Sequence, residues 1–116
     1  MMGKKRGLRE STIMKLRVGP KKYRVLAAQC IEHDGQSCVG QCDSQSGTIL
    51  IDVTYFPSSQ RETLFHEAIH AVDHLMRINL TEEQVQALGV GLLNLIDDNP
   101  HLLAFHGVKG YVQSGL

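Results

Sequence analysis

His66-Glu67-Ala68-Ile69-His70 is an H-E-x-x-H pattern inside the stretch "RETLFHEAIHAVDHL", residues 61–75. On a helix, side chains four apart stand one above the other, with Cβ atoms ~5–6 Å apart. His66 and His70 can then each turn a ring nitrogen to one metal ion, at the ~2.0–2.1 Å of a zinc–imidazole bond. Glu67 falls about 100° round the helix from His66 and about 60° from His70 at 3.6 residues per turn. Its carboxylate therefore sits beside the metal rather than on it. There it takes a proton from a bound water whose pKa the metal has lowered to ~7. The chemistry implied is metal-assisted hydrolysis, with His66 and His70 as zinc ligands and Glu67 as catalytic base.

A catalytic zinc keeps three protein ligands and one open position. His74 is four beyond His70 but eight beyond His66, ~12 Å along the helix, so it does not complete the set. No HxxGxxH continuation follows: Asp73 and Met76 stand where its glycine and third histidine would be. Asp73 either accepts a hydrogen bond from a ligand histidine, as carboxylates around metal sites do, or is solvated. A second helix offers Glu82 and Glu83. Val85, Leu88, Leu92, Leu95 and Ile96 define its apolar stripe. Glu82 lies about 80° from the centre of that stripe and Glu83 about 180°. A third ligand has to face the first helix, so Glu82 is favoured over Glu83. Both also suit a helix N-terminus as carboxylates facing the macrodipole.

The elements that must carry these groups follow from the hydrophobic period. Thr12, Met14, Leu16 and Val18 alternate, as do Tyr23, Val25 and Ala27 after the turn "GPKK", which reads as a β-hairpin. "IEHDGQSC" reads as a loop. A second hairpin runs to Asp43, turns at "SQSG" and returns through "TILIDV", rich in β-branched residues. After Pro57 the period becomes helical, with Leu64, Phe65, Ala68, Ile69, Val72, Leu75 and Met76 in phase. Ser59 with Glu62, and Thr81 with Gln84, fit capping boxes. The expected fold is α+β: about four short antiparallel strands in residues 12–53, then helices over roughly 59–77 and 82–98. Gly89 and Gly91 each cost the second helix up to ~1 kcal/mol against alanine, which suggests that another element packs close there. The last sixteen residues have no clear pattern.

Composition sets the outer limits. A chain of 116 residues is one domain of ordinary size. Residues 1–11, "MMGKKRGLRES", read as a flexible basic tail and 12–116 as the domain. Twelve basic residues balance twelve acidic ones, which gives no global reason to expect nucleic acid or a membrane as partner. Cys30, Cys38 and Cys42 are odd in number and lack C-x-x-C spacing, which points to a reducing, cytoplasmic setting. With His33 they match no common metal knuckle. No run approaches the ~18 apolar residues of a membrane helix.

Over residues 12–100 the chain resembles small phage and bacterial zincin-like metallopeptidases, related to the ImmA/IrrE family and to SprT-like proteins. The shared features are an I-x-I-D strand in "TILIDV", a "TLxHExxHA" helix, and a second helix with Glu82 three before Val85, a "GL" step and a terminal "DNP". The resemblance implies a minimal zincin-like fold with an edge strand above the active-site helix. It also implies zinc on His66, His70 and a glutamate of the second helix, which Glu82 matches best, with Glu67 as base. A peptide or protein substrate follows, laid along "TILIDV" if that strand forms an exposed edge. Tyr55, His101, His106 and Tyr111 are candidate donors to the developing oxyanion. No segment evidently walls a substrate cleft. The alternative is a non-catalytic binding or regulatory module that keeps zinc as a staple.

Overall fold

The computed structural model describes residues 11–110. The basic segment before them and Tyr111 after them lie outside the described residues. Six strands precede two helices: β1 Thr12–Val18, β2 Lys21–Ala28, β3 Ile31–His33, β4 Gln36–Cys38, β5 Gly40–Asp43, β6 Thr48–Asp52, α1 Pro57–Met76 and α2 Glu82–Asp98. The class is the expected α+β, with a four-stranded sheet in the order β1-β2-β6-β5. Both expected hairpins form. β1 pairs antiparallel with β2, Leu16 opposite Tyr23, and β5 with β6, Gln41 opposite Leu50.

The sheet is mixed rather than wholly antiparallel. β2 and β6 run parallel, with Val25 beside Ile49 and Ala27 beside Ile51. Alternating hydrophobicity specifies which face of a strand is buried, not which way its neighbour runs. The direction is set by the crossover. The chain leaves β2, makes a separate β3–β4 hairpin, and returns as β5 on the far side of β6. That small hairpin is the stretch expected to be a loop. Asp34 and Gly35 turn it, both with positive φ, 53° and 77°. That is what an Asp-Gly type I′ turn requires.

One face of the sheet supplies Val18, Tyr23, Val25, Ile49 and Ile51, which close over Ala71 of α1. α1 starts at Pro57, whose fixed φ suits the first helical turn, with Phe56 as N-cap and no side-chain cap. The expected Ser59/Glu62 capping box does not form, because Ser59 is already inside the helix and its carbonyl accepts the Thr63 hydroxyl at 2.9 Å. The buried row of α1 is Thr63, Glu67 and Ala71, not the expected apolar stripe. Val72, Leu75 and Met76 stay substantially exposed. α1 serves two neighbours at once: the row at 63, 67 and 71 meets the sheet, and His66 and Ile69 turn to α2.

α2 opens with the expected capping box. Thr81 Oγ1 accepts the Gln84 N–H at 3.1 Å, and Gln84 Oε1 accepts the Thr81 N–H at 2.9 Å. It buries Val85, Gly89 and Leu93. A Cβ at Gly89 would lie 3.6 Å from the His66 backbone, so this glycine sets the close approach of the helices. Gly91 has no such role, as nothing stands within 4 Å of the same point there. At the far end Arg61 grips Asp97 through two hydrogen bonds of 2.8 and 2.7 Å. Among the described residues, no helix is long and apolar enough to cross a membrane.

Candidate metal centre

His66 and His70 project from one turn of α1 to the next, with ring centroids 4.9 Å apart. Glu82, in the first turn of α2, reaches across to both. Its Oε2 lies 2.7 Å from His66 Nε2 and its Oε1 lies 3.1 Å from His70 Nε2. One ligand atom from each of the three falls within 4.8 Å of the others, and among the described residues no other group of metal-ligating side chains converges in this way. Glu82 is not at the margin of the inward face, as the apolar stripe suggested. Leu88, Leu92 and Leu95, which set the centre of that stripe, are exposed. The row that packs on α1 is Val85, Gly89 and Leu93, and Glu82 opens it at helical spacing. Glu83 is exposed and outside the group.

Two imidazole nitrogens and one carboxylate, presented by two helices, are the donor set zinc takes in catalytic sites with a fourth position open. Four residues beyond Glu82, Gln86 Oε1 stands 2.9 Å from His66 Nδ1. That contact holds the ring with Nε2 toward Glu82. Helical spacing from Glu82 would have found Gln86, but no other local signal marks it.

Glu67 is buried and points from α1 to the edge strand β5. A Cβ on Gly40 would stand 3.1 Å from Glu67 Oε2. Desolvation pushes this carboxyl up to about 7. His66 opposes that rise, and Glu82 adds a smaller upward push. A carboxyl balanced near neutrality can take and return a proton at working pH. Cys42, also facing this region, is pushed up to about 11 by burial, then by Glu67 and Asp43, with Lys21 opposing. Its thiol therefore stays protonated, unlike a nucleophile or ligand.

Beside His66 runs a cleft of about 360 Å³, lined by Val39 and Gly40 on one side, Thr63 and His66 below, and Glu82 and Gln86 on the other. α2 thus supplies the wall that the sequence did not reveal. The strand bordering this cleft is β5, not "TILIDV". β6 is paired on both sides, with β2 and β5, and has no free edge for a peptide. The Asp52 N–H donates to the Val39 carbonyl at 2.9 Å. By the alternation of an antiparallel ladder, Gly40 and Cys42 turn their backbone groups away from β6.

Other candidates fall elsewhere. Asp73 neither orients a histidine nor stands free in water: its Oδ1 accepts the N–H groups of Asn79 at 2.7 Å and Leu80 at 3.2 Å and so holds the turn between the helices. His74 is exposed. Tyr55 lines a different cleft, with Cys30 and Asp52. His101 lies past the end of α2, and His106 is exposed in the segment after it. None of these three lines the cleft beside His66. The three cysteines are free. Comparison with family models, curated proteins and solved structures finds no match to this chain.

Proposed function

We propose that this chain is a zinc-dependent metallopeptidase of zincin type, a phage or bacterial protein acting in the cytoplasm on a peptide or protein substrate. The observation that carries the reading is the convergence of His66, His70 and Glu82 from two helices, with a buried carboxyl, Glu67, next to His66 on the same helix. A zinc ion held by these three side chains would supply Lewis acidity toward a peptide carbonyl and toward water. Glu67 removes the proton from the attacking water and passes it to the leaving amine. Gly40, which lines the cleft, offers outward backbone groups to an extended peptide lying there, as edge strands do. Free cysteines fit a reducing compartment, and zero net charge favours neither nucleic acid nor membrane.

A second reading, a non-catalytic zinc-stapled module, draws on the same bridge. α2 packs chiefly on α1, and Glu82 ties the two together at one end. Cleavage of a broad peptide library by the zinc-loaded protein beside its Glu67→Gln variant separates the two. A peptidase should lose at least ~10²-fold in rate when the general base is removed and keep its zinc. Equal background cleavage by both proteins would favour the module.

A further inference from the structure

His66 lines one cleft and His70 lines another. The second holds about 850 Å³ and is bordered by Lys21 at the start of β2, Cys42 and Ser44 at the end of β5, and His70, Asp73 and Arg77 along α1 and its C-cap. β5 and α1 run past both spaces: Gly40 and Thr63 border the first, Cys42 and Asp73 the second. An extended chain lying beside β5 therefore crosses the candidate metal centre from one cleft to the other. The two ends differ in charge. The cleft beside His66 is lined by Glu62 and Glu82 and by no lysine or arginine. The cleft beside His70 is lined by Lys21 and Arg77, with Asp73 as its one carboxylate. Asp73 already accepts the N–H groups of Asn79 and Leu80, and the nearby Asp43 accepts those of Gln45 and Ser46. Among the described residues, neither Lys21 nor Arg77 forms an ion pair with a carboxylate. Lys21 Nζ donates to the Ser44 carbonyl, a neutral partner that leaves its charge unmatched.

We propose that Lys21 and Arg77 select a peptide with an aspartate or glutamate two or three residues from the scissile bond, on the side that lies toward His70. Arg77 stands seven residues past His70, ~10 Å along α1 at 1.5 Å per residue. That length matches about three residues of extended chain at ~3.3 Å each. The same charges fix the direction of the peptide. Turned end for end, its acidic side chain would meet Glu62 instead, and specificity is the difference between the two placements. The place of the scissile bond rests on the peptidase reading, but the charge preference is read by binding alone.

The probe is a nonapeptide of mixed sequence, capped at both ends to remove the terminal charges, in which each position in turn is Glu, Gln or Lys. Binding is measured to the Glu67→Gln protein, with and without zinc, and cleavage by the zinc-loaded wild type, at neutral pH and low salt. Glu should bind and be cut about 3- to 10-fold better than Gln at one or two positions on one side of the peptide, and Lys worse, since an exposed ion pair contributes a few-fold. The preference should shrink as salt screens it. Lys21→Gln and Arg77→Gln should each reduce it, and Arg77→Lys should keep most of it. Lys22→Gln removes the same charge from the neighbouring, exposed position on the other face of β2 and should leave it unchanged. Equal binding of the Glu, Gln and Lys peptides at every position would overturn the proposal, as would no binding of any of them. A loss in Lys22→Gln as large as in Lys21→Gln would overturn it too, because net charge rather than the cleft would then set the preference. If Glu peptides bind best but none is cut, the peptidase reading fails and the charge selection stands. Cleavage without any preference would keep that reading and sink this proposal.

Discussion

Gly40 on β5 and Glu67 on α1 meet where the edge strand crosses the helix. A Cβ at Gly40 would lie 3.1 Å from Glu67 Oε2 and would overlap the methyl of Thr63. The Thr63 side chain cannot swing aside freely, because its hydroxyl donates to the Ser59 carbonyl at 2.9 Å. The missing side chain at Gly40 therefore makes the space in which the Glu67 carboxyl sits. Gly40→Ala should destabilise the fold by about 1–3 kcal/mol, the usual cost of overpacking. It should also reduce hydrolysis while zinc binding, which uses other residues, is kept. Chemical denaturation, zinc titration and peptide cleavage on one preparation check this. A variant of wild-type stability would show that β5 and α1 are not in such close contact.

Burying Glu67 has a consequence for stability against pH. Its pKa rises from an ordinary 4.5 to about 7 in the folded protein. The folded state therefore holds a proton that the unfolded state has released. This contribution is fully present below the unfolded value and is lost as pH rises through the folded one. Metal-free protein should thus melt at a lower temperature as pH goes from about 4.5 to about 7. In Glu67→Gln, which has no such titration, the slope should shrink. Thermal melts across that window, wild type beside variant, measure the difference. Parallel curves would mean that Glu67 is better solvated than its burial implies.

His66, Glu67 and His70 were legible because helical spacing alone brings them together. Glu82 was legible by phase, although the stripe used to set that phase was displaced. Leu88, Leu92 and Leu95 look like core residues on a helical wheel, yet they lie on the exposed side, because the close approach to α1 is made through Gly89. The parallel β2–β6 pair was not legible, since strand direction is decided by the crossover and not by alternation. The β3–β4 hairpin was legible in principle from Asp34-Gly35 between short extended runs. Gly40 carries no local sign of its role, which exists only through contact with Thr63 and Glu67.

Asp73 links the helices at the end where Glu82 emerges. The turn it holds contains two left-handed residues, Arg77 at φ 55° and Asn79 at φ 71°. The Asp73 carboxylate accepts two N–H groups beyond α1. Hydrogen bonds to charged groups contribute about 1.5–3 kcal/mol. Asp73→Ala should lose stability on that order and weaken zinc binding, although Asp73 is no ligand, because α2 would be less firmly placed. Asp73→Asn keeps an acceptor and should fall between. Zinc affinity unchanged in Asp73→Ala would show that α2 is positioned by its packing on α1 alone.

Zinc should stabilise the fold through the two helices it joins. A ligand bound only by the folded state adds RT ln(1 + [L]/Kd), about 2.7 kcal/mol when free metal is 100 times Kd. The wild type should therefore melt higher with zinc and return to its metal-free melting temperature after chelation. Glu82→Ala removes the one ligand on α2, so zinc should have little effect on its melting. Glu83→Ala should behave as wild type, since Glu83 stands outside the cluster. His66→Ala should lose the zinc response altogether. Differential scanning calorimetry of the four proteins, with and without zinc, separates these outcomes. If Glu83→Ala lost the zinc response and Glu82→Ala kept it, the third ligand would have to move to Glu83. If all four melted alike with and without zinc, the cluster of His66, His70 and Glu82 would be an ordinary bridge between helices, held by the hydrogen bonds it already makes.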